Sequence, residues 1–194
     1  MLQLHRITET IKSTDSTSLC KGKIKIHSNN ELLVDTDNHI VITGRHWLMQ
    51  RMFGMPFDLN TQQQEWLPSW FAVGSGGAAI DSPFQPIWPT DNDIELYHPI
   101  IFNTEGGERY NEDTTKKMVD GVTFESTLTA KVTMTLGYED CVNQYINEAG
   151  LFISSSVLNE PSIPIEYTMF SHVTFPTIPK SNLVELIIEW FFIF

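Results

Sequence analysis

Residues 128–136, LTAKVTMTL, alternate apolar and polar side chains without a break, and this alternation constrains the fold more than any other feature. Successive side chains of a β-strand point to opposite faces, so the pattern predicts a strand with one buried and one solvated face. Threonine at most of the polar positions suits a half-exposed pleated surface. We predict that residues 121–136 form one strand, with Val132, Met134 and Leu136 facing inward.

The C-terminal residues 182–194, NLVELIIEWFFIF, add a second constraint. A strand this apolar would promote aggregation if its edges stayed unpaired, so we expect it to lie inside a sheet or between subunits. The apolar run is too short to span a bilayer, and Glu189 interrupts it. Further short strands are predicted at residues 22–26, 31–34, 94–102 and 167–178, with one more ending at Val73.

One segment departs from the strand pattern. From about Thr43 the apolar spacing becomes helical and includes Leu48, and Gly54 ends the segment. Several short strands joined by turns, with one short helix, indicate a mainly β protein with an antiparallel β-sandwich fold. We expect residues 21–194 to form the sandwich and residues 1–20 to form a flexible, extended N-terminal arm.

Residues 74–79, GSGGAA, match the G-x-G-x-x-A form of the dinucleotide-binding fingerprint. That motif binds pyrophosphate at the N-terminus of a helix that starts at its third small residue. Here Pro83, Pro86 and Pro89 follow, and each proline in a helix interior costs about 3 kcal/mol or more. We therefore expect a tight turn followed by extended chain, with no dinucleotide bound.

Composition argues against several kinds of partner. The chain carries a net charge of −12, with 24 acidic and 12 basic residues, and such a surface repels nucleic acid. Cys20 and Cys141 match no C-x-x-C spacing and are expected to be free thiols. The histidines are scattered, with no H-E-x-x-H motif, so we expect neither a metal nor another cofactor.

The stretch INEAGLF, residues 146–152, combines two polar residues with a glycine. Asn147 and Glu148 are suited to turning the chain, and Gly150 tolerates a positive φ. We interpret the stretch as a structural turn, rather than a ligand site, after which Leu151 and Phe152 begin a buried strand.

Four segments in this order resemble virion structural proteins of tailed bacteriophages, in particular the tail-collar-fibre-like and baseplate-associated β-sandwich proteins. The resemblance covers about residues 38–194. In that group a small-glycine turn with prolines and an acid-rich step precedes an N-E-x-G-L-F strand, and a terminal aromatic strand closes the domain. The segments are HIVITGRHWLMQRMFG, FAVGSGGAAIDSPFQPIWPTDNDIEL, INEAGLFIS and TMFSHVTFPTIPKSNLVELIIEWFFIF.

The resemblance implies a non-enzymatic structural component of a phage tail, baseplate, neck or fibre junction. Such a protein is located in the virion after synthesis in the cytoplasm of the bacterial host. Its partners are copies of itself and other virion proteins, in a symmetric assembly.

Three side chains are candidate interface residues. Phe84 and Trp88 lie among prolines and would make rigid aromatic anchors, although they would equally serve to cover the sandwich core. Lys180 would act as a gatekeeper against edge pairing or as an ion-pair partner for a neighbouring subunit. The candidate contact regions are residues 1–20, 81–91 and 103–117.

Two alternatives remain open from the sequence. The first is a receptor-binding or carbohydrate-binding β-sandwich module of a tail fibre. The second is a hydrolase that uses carboxylates among Asp91, Asp93 and Glu95. A deep pocket that holds two of these acids, one with a raised pKa, would favour the hydrolase.

Overall fold

The computed structural model describes residues 20–52, 68–79, 81–102, 114–154 and 167–194. The predicted N-terminal arm, residues 1–20, lies outside this part of the chain except for Cys20. The elements in chain order are β1 (Lys21–Ser28), β2 (Glu31–Ile40), α1 (Ile42–Met52), β3 (Pro68–Gly74), β4 (Ala78–Ala79), β5 (Ser82–Pro86), β6 (Lys117–Met118), β7 (Gly121–Ser126), β8 (Thr129–Leu136), β9 (Gln144–Ser154), β10 (Tyr167–Lys180) and β11 (Leu186–Ile193).

Nine of these strands form one antiparallel sheet in the order β6-β3-β9-β10-β2-β1-β11-β8-β7, and β4 and β5 form a small separate hairpin. The predicted fold class, mainly β and antiparallel with one short helix, is confirmed. No helix in the described part of the chain is long and apolar enough to cross a membrane.

The strand β2 joins two layers. Residues Glu31 to Asn38 of β2 pair with β1, whereas His39 and Ile40 pair with β10. The strands β1, β11, β8 and β7 continue from one side of β2, and β10, β9, β3 and β6 continue from the other. The inward side chains of both layers meet in one hydrophobic core, which includes Ile24, Ile26, Val132, Met134 and Trp190 from one layer and Phe71, Val73, Leu151, Phe170 and Val173 from the other.

The C-terminal strand β11 lies between β1 and β8, so the prediction that this apolar segment lies inside a sheet is confirmed. Its neighbour β1 connects to β2 through Asn29 and Asn30, whose φ angles are 49° and 65°. Asparagine tolerates this left-handed region better than most residues, which suits a two-residue hairpin turn.

The layer that contains β9 and β10 is buried on both faces. A second apolar cluster lies on its outer face and consists of Val41, Trp70, Ala72, Leu96, Phe152 and Met169. The helix α1 packs beside this layer, and its Thr43 Oγ1 donates to the carbonyl of Met169 at 2.5 Å. A Cβ on Gly44 would lie 2.1 Å from the carbonyl oxygen of Phe170, so glycine permits the close approach of α1 to β10. The predicted helix is confirmed, and Leu48 packs against the main core.

Two strand predictions were wrong. Residues 121–136 form the hairpin β7–β8, in which the chain reverses at residues 127–128. The even-numbered residues of both strands face the same side of the sheet, so the alternation looks like that of a single strand. The inward positions Val132, Met134 and Leu136 are buried as predicted. Residues 94–102 form no strand, and only an isolated bridge connects Pro99 to Gly74.

The glycine-rich segment behaves as the prolines predict. After Gly77 the chain enters the β4–β5 hairpin, with no helix in the described residues that follow the glycines up to residue 102. The G-x-G-x-x-A match therefore lacks the helix N-terminus that a dinucleotide pyrophosphate requires.

Candidate functional site

The strand β9 carries a buried carboxylate at its centre. The side chain of Glu148 is fully buried, and its strand β9 lies between β3 and β10. The predicted turn at Asn147 and Glu148 was therefore wrong, because β9 runs without interruption from Gln144 to Ser154. A strand that is buried on both faces shows no alternation, so two polar residues in its middle resemble a turn.

Three backbone amides hold the Glu148 carboxylate. Oε1 accepts hydrogen bonds from the N–H groups of Gly76 and His98, each at 2.8 Å. Oε2 accepts from the N–H of Tyr97 at 2.9 Å. These bonds replace the water that a buried carboxylate loses, and they attach two loop segments to the middle of β9.

The His172 imidazole on β10 connects Glu148 to a second carboxylate. Its Nε2 lies 3.0 Å from Oε2 of Glu148, and its Nδ1 lies 2.8 Å from Oδ2 of Asp93. Ionised carboxylates only accept hydrogen bonds, so each contact requires an N–H on the imidazole nitrogen that makes it. We call Asp93, His172 and Glu148 the buried polar network.

Asp93 receives further hydrogen bonds from its own segment. The N–H of Thr90 donates to Oδ2 at 3.0 Å, and Thr90 Oγ1 donates to Oδ1 at 2.6 Å. The hydroxyl of Tyr97 donates to Oδ2 at 3.1 Å, and its ring lies edge-on to His172 with 4.9 Å between ring centroids. The network thus fixes residues 90–98 against β9 and β10.

The pKa values of both carboxyl groups are lowered. Burial acts to raise the pKa of Glu148, but hydrogen bonds from His172 and from three backbone amides outweigh it and bring the pKa below the ordinary 4.5. Burial also acts to raise the pKa of Asp93, and the bonds from Thr90 and His172 bring it below 3.8. Burial and the nearby Asp93 raise the pKa of Tyr97 to about 12. Both carboxylates are therefore charged at neutral pH.

The glycines of residues 74–77 permit this arrangement. A Cβ on Gly74 would lie 2.4 Å from Oε1 of Glu148, and one on Gly77 would lie 2.3 Å from the carbonyl oxygen of Asn147. The N–H of Gly77 also donates to Oδ1 of Asn147 at 2.7 Å. The glycine pattern thus brings a backbone loop into direct contact with a buried side chain of its own fold.

The three acids of the hydrolase hypothesis have separate partners. Asp91 is exposed and pairs with Arg45, and Glu95 pairs with Lys116 at 3.0 Å. Asp93 belongs to the buried polar network, and its pKa is lowered, whereas a general acid would need a raised one. Among the described residues, no group of three or more His, Cys, Asp or Glu side chains could hold a metal ion.

Phe84 and Trp88 are exposed, with 76% and 83% of their surfaces accessible. The alternative that both side chains cover the sandwich core is therefore wrong. Ile87 and Ile94, at 43% and 72%, are exposed on the same stretch. We call residues 84–94 the aromatic segment.

Hydrogen bonds from β10 and Tyr97 hold the aromatic segment and its N-terminal flank. Thr174 Oγ1 donates to the carbonyl of Ile87 at 2.7 Å. Thr177 Oγ1 donates to the carbonyl of Pro83, also at 2.7 Å, and the hydroxyl oxygen of Tyr97 lies 3.4 Å from the carbonyl oxygen of Trp88. The exposed aromatic side chains thus belong to a stretch of backbone that is hydrogen-bonded to β10.

Lys180 does not lie on the surface as the sequence predicts. It is 2% exposed, and its Nζ donates to the carbonyl of Ser181 at 3.0 Å. Burial lowers the pKa of its ammonium group. Its strand β10 pairs with β9 along most of its length but with β2 only at Ser171 and His172, and Pro176 lies in a register shift of the pairing with β9. Neither a gatekeeper role nor an ion pair with a neighbouring subunit fits this position.

The predicted exposed loop, residues 103–117, lies mostly outside the described residues, which resume at 114. Its last two positions are buried, since Lys116 and Lys117 are only 6% and 8% exposed. Lys117 Nζ lies 2.6 Å from Oδ2 of Asp140, which attaches β6 to the turn between β8 and β9. A buried ion pair of this kind holds the loop end on the fold and is not available to a partner.

No protein-family model matches the chain, and searches of curated proteins and of solved structures found no similar protein. Function is therefore inferred from the geometry and from the sequence resemblance.

Proposed function

We propose that the chain is a non-enzymatic structural component of a tailed phage particle, and that it acts through protein–protein contacts in a symmetric assembly within the virion. The observation that carries the proposal is the exposure of Phe84 and Trp88, at 76% and 83%, on backbone held to β10 and to Tyr97. Its place in a phage particle comes from the sequence resemblance.

The aromatic segment has the properties of an interface anchor. Pro83, Pro86 and Pro89 restrict its backbone, so little conformational entropy remains to be lost on binding. Large aromatic side chains contribute strongly to binding energy when a partner removes them from water. Exposed apolar side chains on one stretch of a protein surface are typical of sites that bind another molecule.

The buried polar network supports a structural role rather than a catalytic one. His172 and Glu148 are fully buried, and their polar atoms are engaged by each other, by Asp93 and by backbone amides. A catalytic histidine must reach a substrate, whereas this one connects β9, β10 and residues 90–98. The network explains how the aromatic segment is held in one conformation.

The exposed aromatic side chains also favour a second candidate function. A carbohydrate-binding module uses exposed aromatic rings as stacking surfaces for sugar faces, and Trp88 offers such a ring. The two functions predict different partners for the same side chains, so one pair of variants tests both.

The test compares the double variant Phe84→Ser, Trp88→Ser with the control Tyr145→Ser, which removes a 64% exposed aromatic from β9. Mass spectrometry and cryo-electron microscopy of purified particles of the encoding phage should find the chain, with the aromatic segment against a neighbour. The double variant should fold but fail to be incorporated, and the control should be incorporated normally.

Two results would contradict the proposal. Absence of the wild-type chain from purified particles would refute a virion role. Glycan binding by the isolated chain that the double variant abolishes and the control retains would favour the carbohydrate-binding module instead.

A further inference from the structure

The strand β7 forms one end of the nine-stranded sheet. All six of its residues, Gly121–Ser126, are exposed, and it pairs with β8 on one side. Among the described residues, no strand pairs with its outer side. An open edge of this kind presents backbone N–H and C=O groups that another strand can use.

Two apolar side chains of β7 lie on the core-facing side of the sheet but are exposed to solvent. Val122 pairs with Val132, and Phe124 pairs with Ala130, so both point to the core-facing side of the sheet. They are nevertheless 44% and 81% exposed.

The exposed apolar surface continues around the end of β7. Leu128 and Phe194 are 58% and 52% exposed, and the N–H of Phe194 donates to the carbonyl of Leu128 at 2.9 Å. We call Val122, Phe124, Leu128 and Phe194 the β7 corner. It combines an open backbone edge with apolar side chains.

We propose that β7 pairs with β7 of a second copy of this chain, antiparallel, about a two-fold axis at Thr123. In this register Thr123 lies opposite itself and Val122 lies opposite Phe124 of the second copy. The side chains that share a face then match: the apolar pair meets its counterpart on one face, and Thr123 meets Thr123 on the other. The sequence of β7 is thus complementary to itself, as a two-fold interface requires.

Charge also favours this register. Glu125 lies opposite Gly121 of the second copy, and the two Glu125 residues are about 13 Å apart, which exceeds the screening length of about 8 Å at physiological ionic strength. Each Glu125 is already paired with Lys131 of its own copy at 2.9 Å. No like charges face each other across the axis.

The irregular end of β7 limits the pairing to a short stretch. The register shift between Phe124 and Ser126 makes Glu125 an extra residue, so residues 122–124 provide the backbone contacts. Burial of the β7 corner then supplies the apolar part of the interface. This surface is separate from the aromatic segment, so the inference does not depend on the proposed role in a phage particle.

Sedimentation analysis of the full chain over a range of micromolar concentrations tests the proposal. We expect a concentration-dependent dimer. Phe124→Glu should raise the dimer dissociation constant about tenfold or more, because it places a charge against Val122 of the second copy. The matched control Tyr145→Glu changes an exposed aromatic on β9, at 64%, that lies outside both proposed interfaces, and it should leave the dimer unchanged.

Cross-linking tests the register without altering the apolar side chains. In a Cys20→Ser background, Thr123→Cys should form an intermolecular disulfide on mild oxidation, since directly opposed Cβ atoms are about 5 Å apart. Glu125→Cys should not, because its two copies lie far apart in this register.

A wild-type chain that stays monomeric at all concentrations, with β7 left for a different protein, would overturn the proposal. So would a dimer that Phe124→Glu leaves intact, or one that cross-links through position 125 as readily as through 123. If Phe124→Glu fails to give the wild-type circular dichroism spectrum, the cross-linking pair decides.

Discussion

The Nε2 of His172 lies 3.0 Å from Oε2 of Glu148, and neither side chain is exposed to solvent. The two residues lie on the adjacent strands β10 and β9, and the contact joins a buried imidazole to a buried carboxylate in the middle of the sheet. Asp93 extends the contact to the segment that carries the exposed aromatic residues. The stability of the fold and the presentation of the aromatic segment therefore depend on the same three side chains.

Glu148→Gln should destabilise the fold strongly. The amide nitrogen of glutamine cannot accept a hydrogen bond, so it would face an N–H donor and leave a partner unsatisfied. Breaking a buried charged contact from one side costs about 3–5 kcal/mol, and we expect a loss of unfolding free energy in this range. Urea unfolding followed by circular dichroism measures it.

Glu125→Gln is the matched control, because it makes the same chemical change on an exposed strand. Its unfolding free energy should stay close to that of the wild type. Equal losses of unfolding free energy from the two substitutions would show that the burial of Glu148 does not contribute to stability.

Stability should fall in acid through the buried polar network. The pKa values of Asp93 and Glu148 are lowered in the folded state from 3.8 and 4.5, so their contribution is complete above these unfolded-state values. It is lost as the pH falls through the lower folded-state values, where both carboxylates bind protons. Urea unfolding from neutral pH to about pH 3 should show this decline.

Asp93→Asn identifies the source of the acid dependence. The variant has one fewer group whose pKa differs between the folded and unfolded states, so its stability should change less steeply with pH in the acid range. An acid profile parallel to that of the wild type would mean that other carboxyl groups cause the decline.

Gly77→Ala should destabilise the fold, because its Cβ would lie 2.3 Å from the carbonyl oxygen of Asn147 and 2.7 Å from Cβ of Glu148. Overpacking of this kind costs about 1–3 kcal/mol. Gly121→Ala is the control, since apart from its chain neighbours no described residue has an atom within 4 Å of the place that its new methyl group would take. It should be neutral or stabilising by at most about 1 kcal/mol. Thermal unfolding measures the stability of both variants. A Gly121→Ala variant less stable than Gly77→Ala would contradict the role of Gly77 in the close approach of the two segments.

Phe84→Ser and Trp88→Ser should leave the fold intact. Both side chains are mainly solvent-exposed, so each substitution should change the unfolding free energy by no more than about 0.5 kcal/mol. Thermal unfolding of the purified variants measures this. A large loss of stability would mean that these aromatic residues support the fold and do not serve as a binding surface.

The sequence predicts the layer that contains β8 better than the layer that contains β9 and β10. The strand β8 has one solvated face, so its alternation identifies Val132, Met134 and Leu136 as buried. The hairpin turn at residues 127–128 could not be predicted, because even-numbered residues face inward both before and after it and the alternation therefore continues through the turn. The strand β9 is buried on both faces, and without alternation its polar residues Asn147 and Glu148 resemble a turn.

The candidate site could not be assembled from the sequence because its members are far apart in the chain. Asp93 stands out only as one of three neighbouring acids, and no local pattern connects it to Glu148 or His172. The glycines at residues 74–77 are a usable signal, since small residues often mark a close approach of the backbone. What they approach is a carboxylate on another strand, and only the sheet topology brings the two together.

Membership of β2 in both layers has a mechanical consequence. Its last two residues, His39 and Ile40, are its only ones paired with β10, and Ser171 Oγ reinforces this junction by donating to the carbonyl of His39 at 2.8 Å. A force that pulls the layers apart must therefore break backbone hydrogen bonds within one continuous sheet, in addition to separating apolar side chains. Among the described strands, β2 is the one that pairs with both layers, so the layers cannot slide apart as two separate sheets.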